Sequence, residues 1–432
     1  MLLNSKLIKD HPKKMNLYQY KHFTGELPVH VSQNMQHLKI LHNVHYIGKS
    51  SFGLGQISVS LANAQYLLGH DVRLWCLSEE EDIMWASSTH GFPNDRIDRF
   101  KLFGPQNFLF SIDLNKQAKD TNIMFDIVHQ HGVWTGISNA TLLLAQNKKI
   151  PTIIAPHGSL NQWALNRSRW KKKIALTFYE NKNLRLASCL HATSEIEISD
   201  FRDFGLRNPI AYIENGIHEK HLSSAGKANR FREQNSIPKD KRILFFLSRI
   251  SPKKGLTMLV EAISSIQDDF AEWQLIVAGI DEFNHRKDIE LLVKQLSLES
   301  KIKILGPLFG QEKDDAFAAA ELFILPSYSE GSPMVILDSL AAGVPVITTK
   351  ASTWSDLTKY NCGWWTDISI DAVTVALLEA VNMSAKDLKQ MGDNGKELIT
   401  SKYTWPQLAQ KTLLLYNWLL DREEKPDFVI LD

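Results

Sequence analysis

Cysteine is scarce in this chain of 432 residues, which contains only Cys76, Cys189 and Cys362. Three widely spaced cysteines form neither a disulfide framework nor a paired C-x-x-C zinc motif, and such a set is typical of a reducing compartment. The chain also lacks an uninterrupted apolar run of the roughly 18 residues that a membrane-spanning helix requires. The first residues soon become polar and do not form a secretory signal. We therefore expect a cytoplasmic protein.

An excess of charge of one sign is also missing, because 49 basic residues nearly balance 48 acidic ones. The net charge of +1 gives no general reason to bind nucleic acid, so we expect no nucleic-acid partner. Glycine (22) and proline (15) are close to average usage, which excludes collagen-like and low-complexity chains. Hydrophobic residues make up 44% of the chain, which is enough apolar surface for sizeable folded cores.

Beyond a polar, basic extension at 1–36, short β-rich runs alternate with longer helical stretches, and the alternation restarts after a polar linker that begins at residue 219. This alternation predicts parallel sheets that are covered by helices on both faces. We predict an α/β protein with two Rossmann-like, doubly wound domains, at 37–218 and 219–404, that face a cleft. Residues 421–432 are predicted to form a tail. Ligands bind such sheets outside the carboxyl ends of their strands.

A glycine-containing loop at 48–55 follows the first predicted strand and precedes a helix. Glycines at this position allow backbone N–H groups to approach an anion at the helix N-terminus. Ser58 stands where the dinucleotide fingerprint requires its third glycine, and the loop contains no Walker phosphate motif. The loop is therefore either an anion site or a simple strand–helix turn.

A second loop, at 248–256, carries Arg249 and Lys254 directly after the predicted strand at 243–247. An arginine can form a forked contact with phosphate oxygens while a lysine acts as a point charge, so the pair can hold a diphosphate from two sides. The alternative is a solvated basic turn.

A third loop connects the predicted strand at 322–325 to a helix that begins near Pro333, and it carries Glu330. Asp338 lies about one and a half turns inside that helix. Carboxylates accept hydrogen bonds from hydroxyl groups, so these two suit ligands such as a sugar and a ribose. The alternative is a capping glutamate and a surface aspartate.

Several histidines lie on or after predicted strands. His157 follows the strand at 152–155, where its side chain would face the cleft, although an isolated loop histidine is often simply packed. His129 and His131 alternate on one strand and suggest a metal site, but the sequence offers no evident third ligand. We expect them to contact a sugar or acceptor, or to belong to the core or the wall of the cleft. Glu195 either caps the helix that follows it or contacts an acceptor.

The segment from Glu330 to Ile347 resembles the E-x7-E signature of retaining glycosyltransferases of family 4, which have the GT-B fold. The resemblance extends over residues 38–420. It includes Ser248-Arg249, Lys254-Gly255, Glu214-Asn215-Gly216, Pro156-His157-Gly158 and Tyr403-Thr404-Trp405.

The resemblance implies a role for each matching position. The catalytic residues would be His157 and Glu330; the groups at the donor diphosphate would be Arg249, Lys254, Gly53 and Gly55; the donor-sugar contacts would be Gly331, Ser332, Pro333 and Met334; the ribose and base contacts would be Asp338, Gly306 and Leu308; and the acceptor side would include His131, Glu195 and Asn215. The helix at 405–420 would return to the N-terminal domain, which would hold the acceptor.

The implied reaction transfers a sugar from a UDP- or GDP-linked donor to a glycan or lipid-linked acceptor, with retention, in surface polysaccharide or lipopolysaccharide synthesis. No metal or other cofactor is expected, because GT-B enzymes do not require one and the chain contains no D-x-D motif. Two departures from the family pattern are Asp338, where glutamate is usual, and Ser332, where an apolar residue is usual. The alternatives are a non-catalytic nucleotide-sugar-binding protein and a nicotinamide-dependent oxidoreductase.

Residues 160–186 read as one long helix, and the part at 161–185 carries seven basic residues against one acidic residue, with aromatic residues between them. A basic, aromatic amphipathic helix can lie on an anionic membrane surface. We therefore expect possible association with the cytoplasmic face of a membrane. The alternative is a solvated basic face over buried aromatic residues.

Overall fold

The computed structural model describes residues 37–48, 51, 53–103, 109–120, 122, 124–218 and 226–431. The extension predicted at 1–36 and the first part of the linker, 219–225, lie outside the described residues. The strands are β1 (Lys39–Val44), β2 (Asp71–Cys76), β3 (Ile97–Arg99), β4 (Ile127–His131), β5 (Thr152–Ala155), β6 (Cys189–Ala192), β7 (Ile210–Tyr212), β8 (Arg242–Leu247), β9 (Trp273–Ala278), β10 (Ile302–Ile304), β11 (Leu322–Leu325), β12 (Val346–Thr349), β13 (Gly363–Thr366) and β14 (Val429–Ile430).

The helices alternate with these strands. They are α1 (Leu54–Leu67), α2 (Glu80–His90), α3 (Ile112–Asp120), α4 (Gly136–Lys148), α5 (Gln162–Asn166), α6 (Arg169–Ala175), α7 (Asn181–Leu186), α8 (Glu195–Asp203), α9 (Ala228–Gln234), α10 (Leu256–Ser265), α11 (His285–Gln295), α12 (Gly310–Ala319), α13 (Met334–Ala341), α14 (Asp356–Lys359), α15 (Ile370–Val381), α16 (Ala385–Lys402) and α17 (Trp405–Leu419).

The strands form two sheets that share a six-strand order, to which the first sheet adds β7 and β14 at one edge. The first has the order β14-β7-β6-β5-β4-β1-β2-β3 and the second β10-β9-β8-β11-β12-β13. In both sheets the order reverses beside the first strand, as in the doubly wound Rossmann arrangement. The described pairs are parallel except for β14 with β7. The structure therefore confirms the prediction of two Rossmann-like α/β units, and their switch points lie between β1 and β4 and between β8 and β11.

Both faces of the first sheet are buried. Ile40 and Leu41 are neighbours on β1, and they belong to separate hydrophobic cores on opposite faces of the sheet. A strand that is buried on both sides reads as a nearly continuous apolar run, which is why β1 shows no clean alternation. One core includes residues of α1 and α17, and the other includes residues of α4.

Helix α17 lies far along the chain but packs against α1 in the first unit. It begins at a capping box, in which Thr404 and Gln407 satisfy each other's free backbone N–H groups. Leu408, Leu413 and Tyr416 belong to the hydrophobic core of the first sheet. The chain therefore crosses from the second unit back to the first at residues 403–405.

The sequence predicts a tail at 421–432, and the structure differs from this prediction. Val429 and Ile430 form β14, which pairs antiparallel with Ala211 and Ile210 at the edge of the first sheet. Val429 is buried in the same core as α17. A two-residue strand is too short to produce a recognisable pattern in the sequence.

The prediction of a single helix at 160–186 is also wrong. Helix α5 ends at Asn166, and Ser168 has a left-handed backbone (φ 53°) that no continuous helix allows. The chain continues through α6, one π-helical turn at Leu176–Glu180 and α7. The basic segment is therefore broken once, at Arg167 and Ser168, and is helical without interruption from 169 to 186 apart from the π-helical turn.

Candidate active site

The switch point of the second sheet brings together two of the predicted donor loops. Lys254 follows β8, and Glu330 follows the adjacent strand β11. Their side chains form an ion pair with 2.5 Å between Lys254 Nζ and Glu330 Oε1. Both side chains are mostly buried, with exposed fractions of 10% and 8%. A cation and a carboxylate that were predicted from separate motifs therefore form one site.

Gly255 allows this close approach. A Cβ atom at this position would lie 1.9 Å from the carbonyl oxygen of Pro326, and the backbone φ of 73° is left-handed. The two loops are joined further by a hydrogen bond from the backbone N–H of Tyr328 to the carbonyl oxygen of Lys253, at 2.9 Å. Any side chain at Gly255 would therefore push the Lys254 loop away from the Glu330 loop.

Two contacts hold Glu330 in place besides its ion pair. The hydroxyl of Ser327 donates a hydrogen bond to Glu330 Oε1 at 2.5 Å. The backbone N–H of Glu330 donates to the carbonyl oxygen of Ala351, which follows β12. The Glu330 carboxylate is thus fixed at the carboxyl edge of the sheet, before it meets any ligand.

Arg249 lies in the same group of charges. Its Nη1 atom donates to both carboxylate oxygens of Glu282, at 2.8 and 2.9 Å. The pKa of neighbouring Lys253 is lowered, mainly by burial, and the charges of Glu330, Lys254, Arg249 and Glu282 all act on it. Three cations and two carboxylates therefore share this edge, which gives an excess of positive charge where an anion would bind.

Asp338 and the loop before α13 complete the predicted donor side. Asp338 forms an ion pair with Lys313 of α12, with 3.0 Å between the carboxylate and the ammonium group. Helix α13 begins directly after Pro333, as the sequence predicts. The predicted sugar contacts Gly331, Ser332, Pro333 and Met334 are all partly exposed at this helix N-terminus. Free backbone N–H groups at such an end attract negatively charged oxygen.

The predicted base contacts lie after β10, at the same edge of the sheet. The carbonyl oxygen of Gly306 accepts a hydrogen bond from the backbone N–H of Gly279, which follows β9. Gly306 is exposed, and Leu308 is partly buried against the core of the second unit. This arrangement leaves open space beside Gly306, where an added Cβ would meet no atom within 4 Å.

In the first unit, the predicted glycines Gly53 and Gly55 form the turn into α1. Gly53 has a φ of 97° and is the N-cap residue of the helix. A Cβ on Gly55 would lie 2.5 Å from the carbonyl oxygen of Tyr46 and 2.6 Å from the Cα of Ile47. The start of α1 therefore packs directly on the chain that leaves β1. Ser58, which breaks the dinucleotide fingerprint, is buried and donates to the carbonyl oxygen of Gly55.

His157 occupies a strained turn directly after β5. Its backbone φ of 50° is left-handed, and Gly158 follows with a φ of 75°. The backbone N–H of Gly158 donates a hydrogen bond to the buried carboxylate of Glu197. Strain of this kind persists where the surrounding structure fixes it, and it is common at functional sites. The residue as a whole is partly exposed, and burial of its ring lowers the pKa to about 3.

Trp163 connects this turn to the donor loops. It lies on α5, which follows the His157 turn, and Lys253 Nζ lies 5.5 Å from the centroid of its ring. This cation–π contact joins the carboxyl edges of the two sheets. His157 and the pair of Lys254 and Glu330 therefore lie on segments that meet across the cleft.

The predicted acceptor contact of His131 is wrong as a direct contact, because this ring is fully buried. Its two nitrogens lie 2.9 Å from His42 Nδ1 and 3.2 Å from His157 Nε2. Asn215 is also buried, in a turn whose Gly216 packs on the ring of Trp405 at the crossing into α17. Glu195 is exposed at the first position of α8, but the side chain of Ser194 caps that helix.

The sequence did not reveal a third histidine beside His129 and His131, and the structure supplies one. His42 on β1 pairs in register with His129 on β4, and nitrogens of all three rings lie within 4.8 Å of one another. This spacing can hold a metal ion. However, each of the six ring nitrogens has a hydrogen-bond partner among the surrounding side chains. A metal ion would have to displace those partners.

The basic segment at 161–185 exposes part of its apolar surface. The exposed fractions of Trp163, Trp170 and Phe178 are 57%, 60% and 77%. Lys171 Nζ lies 5.5 Å from the centroid of the Trp170 ring. The alternative of fully buried aromatic residues is thus excluded for these three. Within the described residues, no helix combines the length and the apolar composition that crossing a bilayer requires.

Two family models match this chain and together cover most of it. Glycosyltransferase Family 4 matches residues 53–221, and Glycosyl transferases group 1 matches residues 227–398.

Similar proteins agree with these matches. A lipopolysaccharide 1,2-N-acetylglucosaminetransferase from Salmonella typhimurium is 24% identical over 288 residues, which are 60% of this chain and 71% of that protein. The glycosyltransferase MJ1607 of Methanocaldococcus jannaschii is 25% identical over 214 residues, 48% of this chain and 54% of that protein. This chain spans little more than half the length of several curated relatives that it matches.

A solved structure shows the same fold. HepE from Anabaena, in complex with UDP-glucose, has a TM-score of 0.67 and 17% sequence identity, and the match covers 89% of this chain and 100% of that one. At this identity the likeness concerns the fold, which is GT-B.

Proposed function

The chain belongs to the family 4-like glycosyltransferases with the GT-B fold, and we propose that it transfers a sugar from a nucleoside-diphosphate sugar to a glycan or lipid-linked acceptor, with retention of configuration. The observation that carries this proposal is the contact between Lys254 and Glu330 at the switch point of the second sheet. It supports the proposal because the cation that would bind phosphate lies directly beside the carboxylate that would accept hydrogen bonds from sugar hydroxyls.

The donor diphosphate would lie against the cations that follow β8. Arg249 and Lys254 would exchange contacts with Glu282 and Glu330 for contacts with phosphate oxygens, to which a guanidinium can donate two parallel hydrogen bonds. The N-terminus of α13 would add backbone N–H groups. Glu330 would accept hydrogen bonds from sugar hydroxyls, and Asp338 would accept them from the ribose.

The chemical step requires stabilisation of the leaving nucleoside diphosphate. The acceptor hydroxyl would attack the anomeric carbon on the face from which the diphosphate leaves, and its proton would pass to a departing phosphate oxygen. Fixed cations and helix N-termini stabilise charge that develops in such a step. Because Arg249, Lys253 and Lys254 together supply this charge, we propose a reaction that does not require a metal ion.

The donor and pathway are finer parts of the proposal. HepE binds UDP-glucose, and the Salmonella relative is a lipopolysaccharide N-acetylglucosaminetransferase. We therefore propose a UDP-sugar as the first donor to examine, with a GDP-sugar next, and a place in cell-surface polysaccharide or lipopolysaccharide synthesis. The exposed aromatic and basic side chains of 161–185 would contact an anionic membrane on the cytoplasmic side, where a lipid-linked acceptor would lie.

The experiment is a donor panel of UDP-, GDP-, ADP- and CMP-sugars. We expect one donor both to raise the thermal midpoint and to release its nucleotide. Lys254→Ala and Glu330→Ala should abolish release, whereas Lys389→Ala, which removes an exposed cation of the same unit, should not. Donor binding without release for any acceptor would support the non-catalytic binding protein instead. NMR of the product would show the anomeric configuration, and inversion would contradict the proposed course.

A further inference from the structure

A buried hydrogen-bond network joins His157 to the interior of the first unit. His42, His129 and His191 lie on β1, β4 and β6 with their rings on the side that α1 and α17 cover. Gln65 of α1 and Tyr416 of α17 form hydrogen bonds with this network from the helices that cover the sheet, and both side chains are fully buried. Buried polar groups of this kind are kept only where hydrogen bonds satisfy them.

The network has two arms that meet at Gln65. In the first arm, His157 Nε2 lies 3.2 Å from His131 Nδ1, His131 Nε2 lies 2.9 Å from His42 Nδ1, and His42 Nε2 lies 2.8 Å from Gln65 Oε1.

The second arm runs from the amide nitrogen of Gln65 to a backbone carbonyl. Gln65 Nε2 lies 3.3 Å from the hydroxyl of Tyr416, which lies 2.8 Å from His129 Nδ1. His129 Nε2 lies 3.1 Å from His191 Nδ1, and His191 Nε2 lies 2.8 Å from the carbonyl oxygen of Ile213.

The carbonyl oxygen of Ile213 fixes the direction of the second arm, because it can only accept a hydrogen bond. A neutral imidazole has one N–H donor and one acceptor nitrogen. His191 must therefore donate from Nε2 and accept at Nδ1, and His129 must do the same. The Tyr416 hydroxyl then donates to His129 and accepts from Gln65 Nε2. The amide orientation of Gln65 follows from this, and its oxygen faces His42.

The first arm then has one consistent arrangement. The Gln65 oxygen accepts from His42 Nε2–H, His42 Nδ1 accepts from His131 Nε2–H, and His131 Nδ1 accepts from His157 Nε2–H. The rings are neutral at pH 7, because burial lowers the pKa of His42 and of His191 to about 4 and that of His157 to about 3. Of the three histidines in this arm, only His157 is a partly exposed residue.

We propose that this network fixes the tautomer of His157, so that Nε2 carries the proton and Nδ1 presents a lone pair to a hydroxyl group of the ligand in the cleft. Gln65, His42 and His131 are positioning residues, because they act through His157. The identity of that ligand rests on the proposed function, but the tautomer does not, so the two can fail separately.

The test measures the tautomer directly in the full-length protein without substrate. In protein labelled with ¹⁵N-histidine, long-range ¹⁵N–¹H correlation distinguishes a protonated from an unprotonated ring nitrogen, and His157→Gln identifies the signals of His157. We expect an Nε2–H tautomer in the wild type. An Nδ1–H tautomer in the wild type, or a stoichiometric zinc ion bound by His42, His129 and His131, would overturn the proposal.

Substitutions at Gln65 test the cause. Gln65→Glu keeps an acceptor for His42 and should keep the Nε2–H tautomer. Gln65→Lys supplies only donors, so it should reverse the direction of every hydrogen bond in the first arm. His157 would then have the Nδ1–H tautomer. If Gln65→Lys does not fold, Gln65→Met takes its place in the test. It removes the hydrogen-bonding amide without adding charge, and His157 should then populate both tautomers. Asn63→Leu removes an amide from the same helix, where it bonds the carbonyl oxygen of His90, and should change nothing.

A kinetic measurement links the tautomer to the ligand. With UDP-glucose as donor, Gln65→Lys should lower kcat about tenfold, the effect of one lost hydrogen bond in the transition state, with little change in the Kd for UDP. A tautomer of His157 that is the same in the glutamate, lysine and methionine variants would show that Gln65 does not control it. If no donor is turned over but the tautomers change as described, the proposed function fails and this inference stands.

Discussion

Lys254 and Glu330 are 76 positions apart in the sequence, and their side chains meet with 2.5 Å between Nζ and Oε1. The two residues follow adjacent parallel strands, β8 and β11, so their loops leave the sheet at the same edge. Gly255 and the hydroxyl of Ser327 fix the two loops and the carboxylate. Under the proposed function, these opposite charges would contact two different parts of one ligand, a diphosphate and the sugar that it carries.

The first prediction concerns the coupling of this pair. Lys254→Met or Glu330→Gln alone should lower the free energy of unfolding by about 3 kcal/mol, because each leaves a mostly buried charge without its partner. The double variant should lose less than the sum of the single variants. Chemical denaturation of all four proteins measures the cycle. Single effects that simply add, within about 0.5 kcal/mol, would show that the ion pair contributes no coupling.

The second prediction concerns Gly255. Gly255→Ala should lower the thermal midpoint by several degrees and abolish stabilisation by the donor, because the new Cβ would collide with the carbonyl oxygen of Pro326 and occupy a left-handed backbone. Gly331→Ala is the matched control for folding, because a Cβ there would meet no atom within 4 Å. Equal thermal midpoints for the two variants would mean that the loops do not depend on this close approach.

The sequence predicts the parts of this molecule that are local. Arg249, Lys254 and Glu330 stand directly after apolar strands, and parallel strands that alternate with helices leave few topologies, so the fold and the shared edge follow from the pattern. The ion-pair partners of the site residues cannot be predicted from this pattern. Glu282 and Lys313 come from other elements, and their pairing with Arg249 and Asp338 depends on how those elements pack.

The histidine network is another part that the sequence reveals only in fragments. His129 and His131 alternate visibly on one strand, but the contact of His129 with Tyr416 spans 287 positions and requires α17 to return to the first sheet. One signal was available: histidines also occur on the buried strands that hold His42 and His191. A polar residue that recurs on several buried strands indicates a network within one layer of a sheet.

The third prediction is a steep loss of stability in mild acid. Burial lowers the pKa of His42 and of His191 from 6.5 to about 4, so the unfolded chain binds protons that the folded protein does not. Their contribution is complete above about pH 6.5 and is lost as the pH falls towards 4, by up to about 1.4 kcal/mol per pH unit for each ring. Glu180, whose pKa is raised to about 7 by burial, acts in the opposite sense.

Unfolding free energies measured between pH 7.5 and about pH 4.5 test this sign. We expect stability to fall with decreasing pH with a slope of more than one proton, because the buried histidines with a lowered pKa outnumber the carboxyl groups with a raised pKa. These histidines are His42, His129, His131 and His191. A flat profile, or stability that increases in acid, would mean that these rings are accessible to protons in the folded protein.

The fourth prediction concerns the exposed aromatic side chains of the basic segment. Trp170 and Phe178 are exposed by 60% and 77%, and Lys171 and Lys173 lie on the same short helix as Trp170. Wild-type protein should sediment with vesicles that contain anionic phosphatidylglycerol at low salt. The double variant Trp170→Ala, Phe178→Ala should bind at least about tenfold more weakly, because each ring loses its apolar contact with the bilayer interface.

Phe283→Ala is the matched control for this measurement, because Phe283 is exposed by 73% but belongs to the second unit. It should bind as the wild type does. Added salt should weaken the binding of both, since screening reduces the attraction between lysine side chains and the anionic surface. If the wild type fails to sediment with anionic vesicles at low salt, or if Phe283→Ala weakens binding as much as the double variant, the segment at 161–185 is not a membrane contact.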